Sequence, residues 1–322
     1  MKITLDVTRL VEEGKMTPDE AQRLIALAAQ DTGSLGINIL VGFGVVAVAL
    51  GAGALVPTPL TAVALGIAMV AGGFVILQNR IKQWTVLGQI CLVIGALTFC
   101  GGVIAFGDGS LASMLIVTVA LALLALAARS SLLMALAVLA ASACLGARTG
   151  YSHATYSLAI FEPTLTIVLF SALAYGGYRV SRRIPSDYER IALTASRTSI
   201  LLVNCGFWIG SLWGDPLMLL TNMGRGGAYT LAAFEHVIIP AWAFAVVWAV
   251  VLIAAALWAV RVNRRWLVNV AAVFGAIHFY TQWFEKLGAT PLSVLLGGLV
   301  MLGIAFALWT FNKGAVAEAK PR

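Results

Sequence analysis

Glu162 and His278 are the ionisable residues that stand well inside long apolar stretches of this 322-residue chain. At membrane depth such groups are costly enough to count as functional candidates. Counted from expected helix ends at 1.5 Å per residue, Glu162 in Phe161-Glu162-Pro163 lies about 10 Å deep, His278 about 12 Å and Asn204 about 13 Å. That shared level would allow a Glu162–His278 contact with Asn204 beside it. A carboxylate–imidazole pair can bind and release a proton or hold a cation. His278, Gln282 and Glu285 are spaced i, i+4 and i+7, so one helix face carries a polar row from mid-membrane to the outer surface. Pro163 is expected to kink the helix that bears Glu162 and open a wet cavity next to it. The loop above would add Asp215, Arg225, Glu235 and His236.

Plainer roles exist for the same residues: Glu162 can snorkel to the headgroups, and His278 can staple two helices through a neighbouring carbonyl. No HExxH, no Ser/His/Asp order and no Gly-Lys phosphate loop accompanies them, so the expectation is a non-enzyme with no catalytic residue, no metal and no cofactor. Gly42-Phe43-Gly44-Val45-Val46-Ala47 fits a dinucleotide fingerprint in letters alone, lacking a preceding strand and an acid about 20 residues on. Cys91, Cys100, Cys144 and Cys205 sit in apolar runs without CxxC spacing and read as small packing residues.

The elements that must hold these groups follow from composition. Hydrophobic residues make up 61% of the chain and charged ones 11%, against about 45–50% and 25% in soluble domains. Ten uncharged or nearly uncharged stretches result, near 36–56, 60–78, 85–106, 110–128, 130–147, 155–177, 194–213, 238–260, 266–285 and 290–311. Backbone groups in lipid must be satisfied within the segment, so each reads as a helix. The expected fold is therefore all-α, a polytopic membrane helix bundle of about ten transmembrane helices. The weakest stretch is the fifth, where the break at Arg129-Ser130 would also suit a re-entrant hairpin.

With the amino terminus in the cytoplasm, the inward segments hold eighteen of the 21 Lys and Arg residues, leaving only Arg148, Arg225 and Lys286 outside. That asymmetry is the one membrane insertion and anionic cytoplasmic lipid favour, and it puts both termini inside. The net charge of +7 is scattered over short connectors, which excludes a nucleic-acid binder. Expected partners are the bilayer, anionic lipids at the cytoplasmic face near Arg179, Arg182, Arg183, Arg190 and Arg261–Arg265, and a second copy of the chain.

Residues 1–34 are expected as a cytoplasmic helical hairpin, 35–313 as the membrane domain with halves 35–147 and 155–312, and 314–322 as a cytoplasmic tail. In the hairpin Leu10 belongs to a small apolar stripe, Gly14 suits the left-handed turn that ends the first helix, and Thr17-Pro18-Asp19-Glu20 is a capping box with proline at the first helical position. Leu24 lies on the apolar face of the second helix, with Ala21, Ile25 and Ala28. Polar residues at 1–31 also rule out a signal peptide there.

The pattern Leu10, Glu13-Gly14, Met16-Thr17, Glu20 and Leu24 resembles short helical hairpins that act as oligomerisation modules beside membrane spans in bacterial proteins. The stretch His278-Phe279-Tyr280-Thr281-Gln282-Trp283-Phe284-Glu285-Lys286-Leu287, running into Leu295–Trp309, is similar to the end of a family of bacterial polytopic inner-membrane proteins of unknown function. The resemblance implies fold and location and supplies no activity.

Five spans in each half would invert one half relative to the other, the arithmetic of inverted-repeat transporters. The residues argue otherwise, since the first half is rich in Gly and Ala while eight of nine tryptophans lie in the second. Ala47-xxx-Gly51, Ala49-xxx-Gly53 and Ala68-xxx-Gly72 read as close-packing helix faces. Trp242, Trp248 and Trp258 read as lipid-facing or packing aromatics along the eighth span. The role expected from all this is a membrane scaffold, sensor or assembly partner. The alternative is a secondary transporter or proton-coupled exporter of a small solute using Glu162 and His278.

Overall fold

The computed structural model describes residues 7–79, 84–152, 155–217 and 237–318. Lys2, Arg80, Lys82, Arg225, Glu235, His236, Lys320 and Arg322 lie outside them. The described chain is overwhelmingly helical and divides into two compact units, Met1–Ala141 and Ser142–Arg322.

The first unit begins with α1 (Val7–Glu12), which ends in a Schellman turn. Gly14 takes φ +66°, its N–H reaches the Val11 carbonyl at 3.0 Å, and the Lys15 N–H reaches Leu10 at 2.9 Å. Thr17 then caps α2 (Pro18–Leu55). The Glu20 carboxylate accepts the Thr17 N–H at 3.0 Å and its hydroxyl at 2.9 Å, while Thr17 Oγ1 accepts the Glu20 N–H at 3.3 Å. Here the structure departs from the expected hairpin followed by a separate span. The second hairpin helix, which carries Leu24, runs on without a break through residues 31–36 and becomes the first apolar helix. Nothing between Gln30 and Ile37 breaks it: the sequence has Thr32, Gly33, Ser34 and Gly36 but no proline, and propensity costs of this size are easily outweighed.

Helices α3 (Pro59–Gln78) and α4 (Thr85–Phe106) form the closest pair of this unit. A Cβ on Gly66 would come within 2.5 Å of the Phe99 backbone nitrogen, and one on Gly95 within 2.9 Å of the Gly66 carbonyl oxygen. These contacts are possible only between glycine surfaces, as in small-residue packing of membrane helices. Ser110 caps α5 (Leu111–Ala127), and α6 (Ser131–Cys144) follows a turn in which Arg129 takes φ +51°. At 14 residues α6 is about 21 Å long, shorter than a hydrocarbon layer of about 30 Å. Leu92, Ala96, Cys100, Val117, Leu121, Ala125, Leu133 and Ala137 make the core between α4, α5 and α6.

The second unit opens with an antiparallel hairpin, β1 (Ala147–Ser152) and β2 (Thr155–Ile160), paired from Ala147↔Ile160 to Ser152↔Thr155. This corrects the expected helix from residue 155. Tyr156, Leu158 and Ile160 suit a strand, and α7 (Pro163–Ser181) starts only at the proline. Four helices complete the described unit: α8 (Ser186–Trp213), α9 (Ala241–Arg261), α10 (Arg265–Leu287) and α11 (Pro291–Glu318). The last extends through residues 314–318, assigned from sequence to a tail. Phe207, Phe244, Trp248, Leu252 and Phe274 form the core of α8, α9 and α10.

Among the described residues, α3, α4 and α9 are long and apolar enough to cross a membrane by length and composition. Shorter apolar helices are Ile39–Leu55 within α2, α5, α6 and Pro291–Gly303 within α11. On α9 the stripe Phe244, Trp248 and Leu252 is buried while Val246, Val250, Ile253 and Leu257 are exposed. A helix apolar on every face belongs in a large core or a bilayer.

Candidate functional site

The polar candidates divide between two places in the second unit. Asn204, nine residues before the end of α8, and His278, nine before the end of α10, meet the same side chain on α9. Trp248 is fully buried and donates its indole N–H to Asn204 Oδ1 at 3.0 Å. The imidazole of His278 stands edge-on to that indole at 4.9 Å between ring centroids, with the planes 78° apart. Phe207 and Phe274 flank the indole at 6.4 and 6.5 Å. Asn204 is further fixed by donating its Nδ2–H to the Ile200 carbonyl of its own helix at 2.8 Å. One hydrogen bond between α9 and α8 and one edge-on ring contact between α9 and α10 thus join three helices inside an aromatic core. The Nδ1 atom of His278 is buried and has no hydrogen-bond partner among the described residues.

The polar row of α10 is graded as its spacing implies. His278 and Gln282 are half-buried, and Glu285 is exposed. Gln282 Nε2 approaches the Ser211 carbonyl of α8 at 3.5 Å, and next to it Trp208 of α8 donates to Thr281 Oγ1 of α10 at 3.1 Å. At the far end of α10, Trp283 donates to the Ser293 carbonyl of α11 at 3.1 Å.

Glu162 lies elsewhere. It is the N-cap residue of α7 rather than a position two turns into a helix, and its neighbour Pro163 occupies the first helical position, where a missing N–H costs nothing and no kink results. The depth computed for Glu162 therefore does not apply, and no hydrogen bond among the described residues joins it to His278. Glu162 is nevertheless only 2% exposed. Two residues on, the start of α7 is met by Asp215, which is fully buried and reaches across from the end of α8. Asp215 Oδ2 accepts the Thr164 N–H at the start of α7, and Oδ1 accepts the Leu217 N–H, each at 2.8 Å. Its backbone bridges to Ile239 just before α9, with N–H···O distances of 2.9 and 3.0 Å. The Asp215 carboxylate thus ties the end of α8 to the beginning of α7, where the α7 dipole favours an acidic group, while its backbone ties in the beginning of α9.

Sequence reading places Asp215 only in the loop above Glu162 and Trp248 only among lipid-facing or packing aromatics, and the hydrogen bonds of both are found in the structure alone. Asp215 follows Gly214, the helix-ending residue at φ +74°, and precedes Pro216, a turn signature that could have marked it. Trp248 shows only as one member of an i, i+4, i+8 apolar stripe. Among the described residues no group of three or more His, Cys, Asp or Glu side chains is arranged to hold a metal ion. Compared with protein-family models, curated proteins and solved structures, the chain finds no match.

Proposed function

We propose that the chain is a ten-span protein of a bacterial inner membrane, with both termini in the cytoplasm, that serves as an assembly scaffold through its amino-terminal hairpin. The observation that carries this reading is the continuity of α2. Its 38 residues measure about 57 Å, nearly twice the hydrocarbon thickness, and one end is locked by the Schellman turn and the capping box. The polar first turns, with Asp19, Glu20 and Arg23, then stand in water as a rigid extension of a membrane helix. A stalk of this kind presents a partner surface at fixed orientation to the bilayer. Outward-facing Leu40, Phe43 and Val48 on the same helix suit a lipid environment.

The reading is tested by crosslinking and size analysis of the detergent-solubilised full chain against a form lacking residues 1–31. Loss of higher-order species on deletion supports it, and unchanged association removes the hairpin's role. A second reading, a secondary transporter or proton-coupled exporter, draws on the unpartnered His278 Nδ1 beside Trp248. Proteoliposome flux that is indifferent to both Glu162→Gln and His278→Ala would remove it.

A further inference from the structure

At the end of the second unit opposite Asp215, a half-enclosed cavity of about 550 Å³ lies between α7, α8, α9 and the start of α10. That volume is in the range of sites for small organic ligands, about 300–1,000 Å³. Among the described residues, its wall contains three arginines, Arg197, Arg264 and Arg265, and no carboxylate. Arg197 lies over the ring of Trp266 at 5.2 Å, so its guanidinium is held by an aromatic face instead of an acid. The Asn263 turn, with φ +53° and its N–H on the Val260 carbonyl at 3.1 Å, delivers Arg264 and Arg265 to the same rim. Helix α10 begins there without a side-chain cap, so its positive dipole end adds to the field of the arginines. The remaining wall is apolar and aromatic, including Leu193, Ile200, Tyr178 and Trp258.

We propose that this cavity binds the phosphate of an anionic phospholipid, with its acyl chains lying along the apolar wall between α8 and α9. Guanidinium groups recognise phosphate oxygens bidentately, and basic pockets between membrane helices on the cytoplasmic side are suited to anionic headgroups. The inference rests on the membrane topology given under Proposed function and adds a ligand to it. A soluble phosphate compound would satisfy the arginines but leave Leu193, Ile200 and Trp258 uncovered.

The test uses the full chain in neutral detergent, titrated with phosphatidylglycerol, phosphatidylcholine or inorganic phosphate, with vesicle flotation run in parallel. Saturable binding of phosphatidylglycerol at least tenfold tighter than phosphatidylcholine is expected. Each guanidinium removed should weaken it about fivefold, so R197Q/R264Q should lose about 25-fold and R197Q alone about fivefold. Arg23→Gln removes a cation of α2 that lines no part of the cavity and should change binding less than twofold. Equal affinity for the two lipids, equal loss in Arg23→Gln, or displacement of the lipid by millimolar phosphate overturns the proposal. Failure of the wild type to float with vesicles would instead overturn the membrane reading beneath it. Normal flotation without lipid preference leaves that reading intact and removes only the lipid site.

Discussion

Replacing Asp215 should loosen the second unit more than any other single carboxylate change among the described residues. In Asp215→Ala the Thr164 and Leu217 N–H groups both lose a buried acceptor 2.8 Å away. Hydrogen bonds to a charged group contribute about 1.5–3 kcal/mol each, and removal of negative charge from the α7 start adds about 0.3–1 kcal/mol. Taking the lower end for two bonds that share one side chain, the expected loss is about 3–4 kcal/mol. Asp215→Asn keeps the shape and one acceptor oxygen but turns an amide N–H₂ toward a backbone N–H, so about 2–3 kcal/mol should go. Asp108 is an exposed loop residue, and Asp108→Asn should stay within about 0.5 kcal/mol of the wild type. Equilibrium unfolding in mixed micelles, followed by tryptophan fluorescence, reports on the right unit because eight of nine tryptophans lie in it. Hydrogen exchange at residues 163–167 should rise in the same order. A stability for Asp215→Ala within about 1 kcal/mol of the wild type would refute the claim that this carboxylate holds the start of α7 to the end of α8.

Two further outcomes follow from local geometry. Gly66→Ala sets a methyl group 2.5–2.7 Å from backbone and Cβ atoms of Phe99 and should destabilise the α3–α4 pair by about 1–3 kcal/mol, whereas Gly72→Ala on the same helix meets open space and should be neutral or mildly stabilising in the same unfolding assay. Glu20 has its carboxyl held below the usual 4.5, first by the Thr17 N–H and then by the Thr17 hydroxyl; a lowered folded-state value means that the turn gains stability above the ordinary glutamate range and loses it as pH falls below 4.5. Protease nicking at residues 13–17 should therefore increase on acidification in the wild type and become independent of pH over that window in Glu20→Gln.

How far the site could be read in advance depended on which end of each helix was counted from. Asn204 counts nine residues from the end of its apolar stretch and His278 about eight from the end of 266–285, and the structure ends α8 at Trp213 and α10 at Leu287, because Gly214 and Gly288 both adopt positive φ there. Nearly equal counts from nearly correct ends give nearly equal heights, and the two side chains do meet at Trp248. For Glu162 the count runs forward from residue 155, where the apolar stretch reads as the beginning of a helix and the structure has β2 instead. Apolar content cannot separate a strand from a helix over six residues. The alternation Tyr156, Leu158, Ile160 and the stop-and-start character of Glu162-Pro163 were the better guides.

The same logic explains why the capped turn was legible residue by residue while its consequence was not. Gly14, Thr17 and Glu20 act through neighbours within five positions, so their geometry follows from local chemistry alone. The continuity of α2 is decided by whether 32–36 finds any better use for its backbone groups than the helix already built on either side. Those residues contain no proline, and a helix anchored by a capping box at one end and a long apolar stretch at the other gains a hydrogen bond with every residue it adds. The cationic cavity shows the opposite limit. Arg197 and Trp266 are 69 positions apart in the chain, and only the packing of α8 against the start of α10 brings the guanidinium over the indole and gathers scattered cations into one wall.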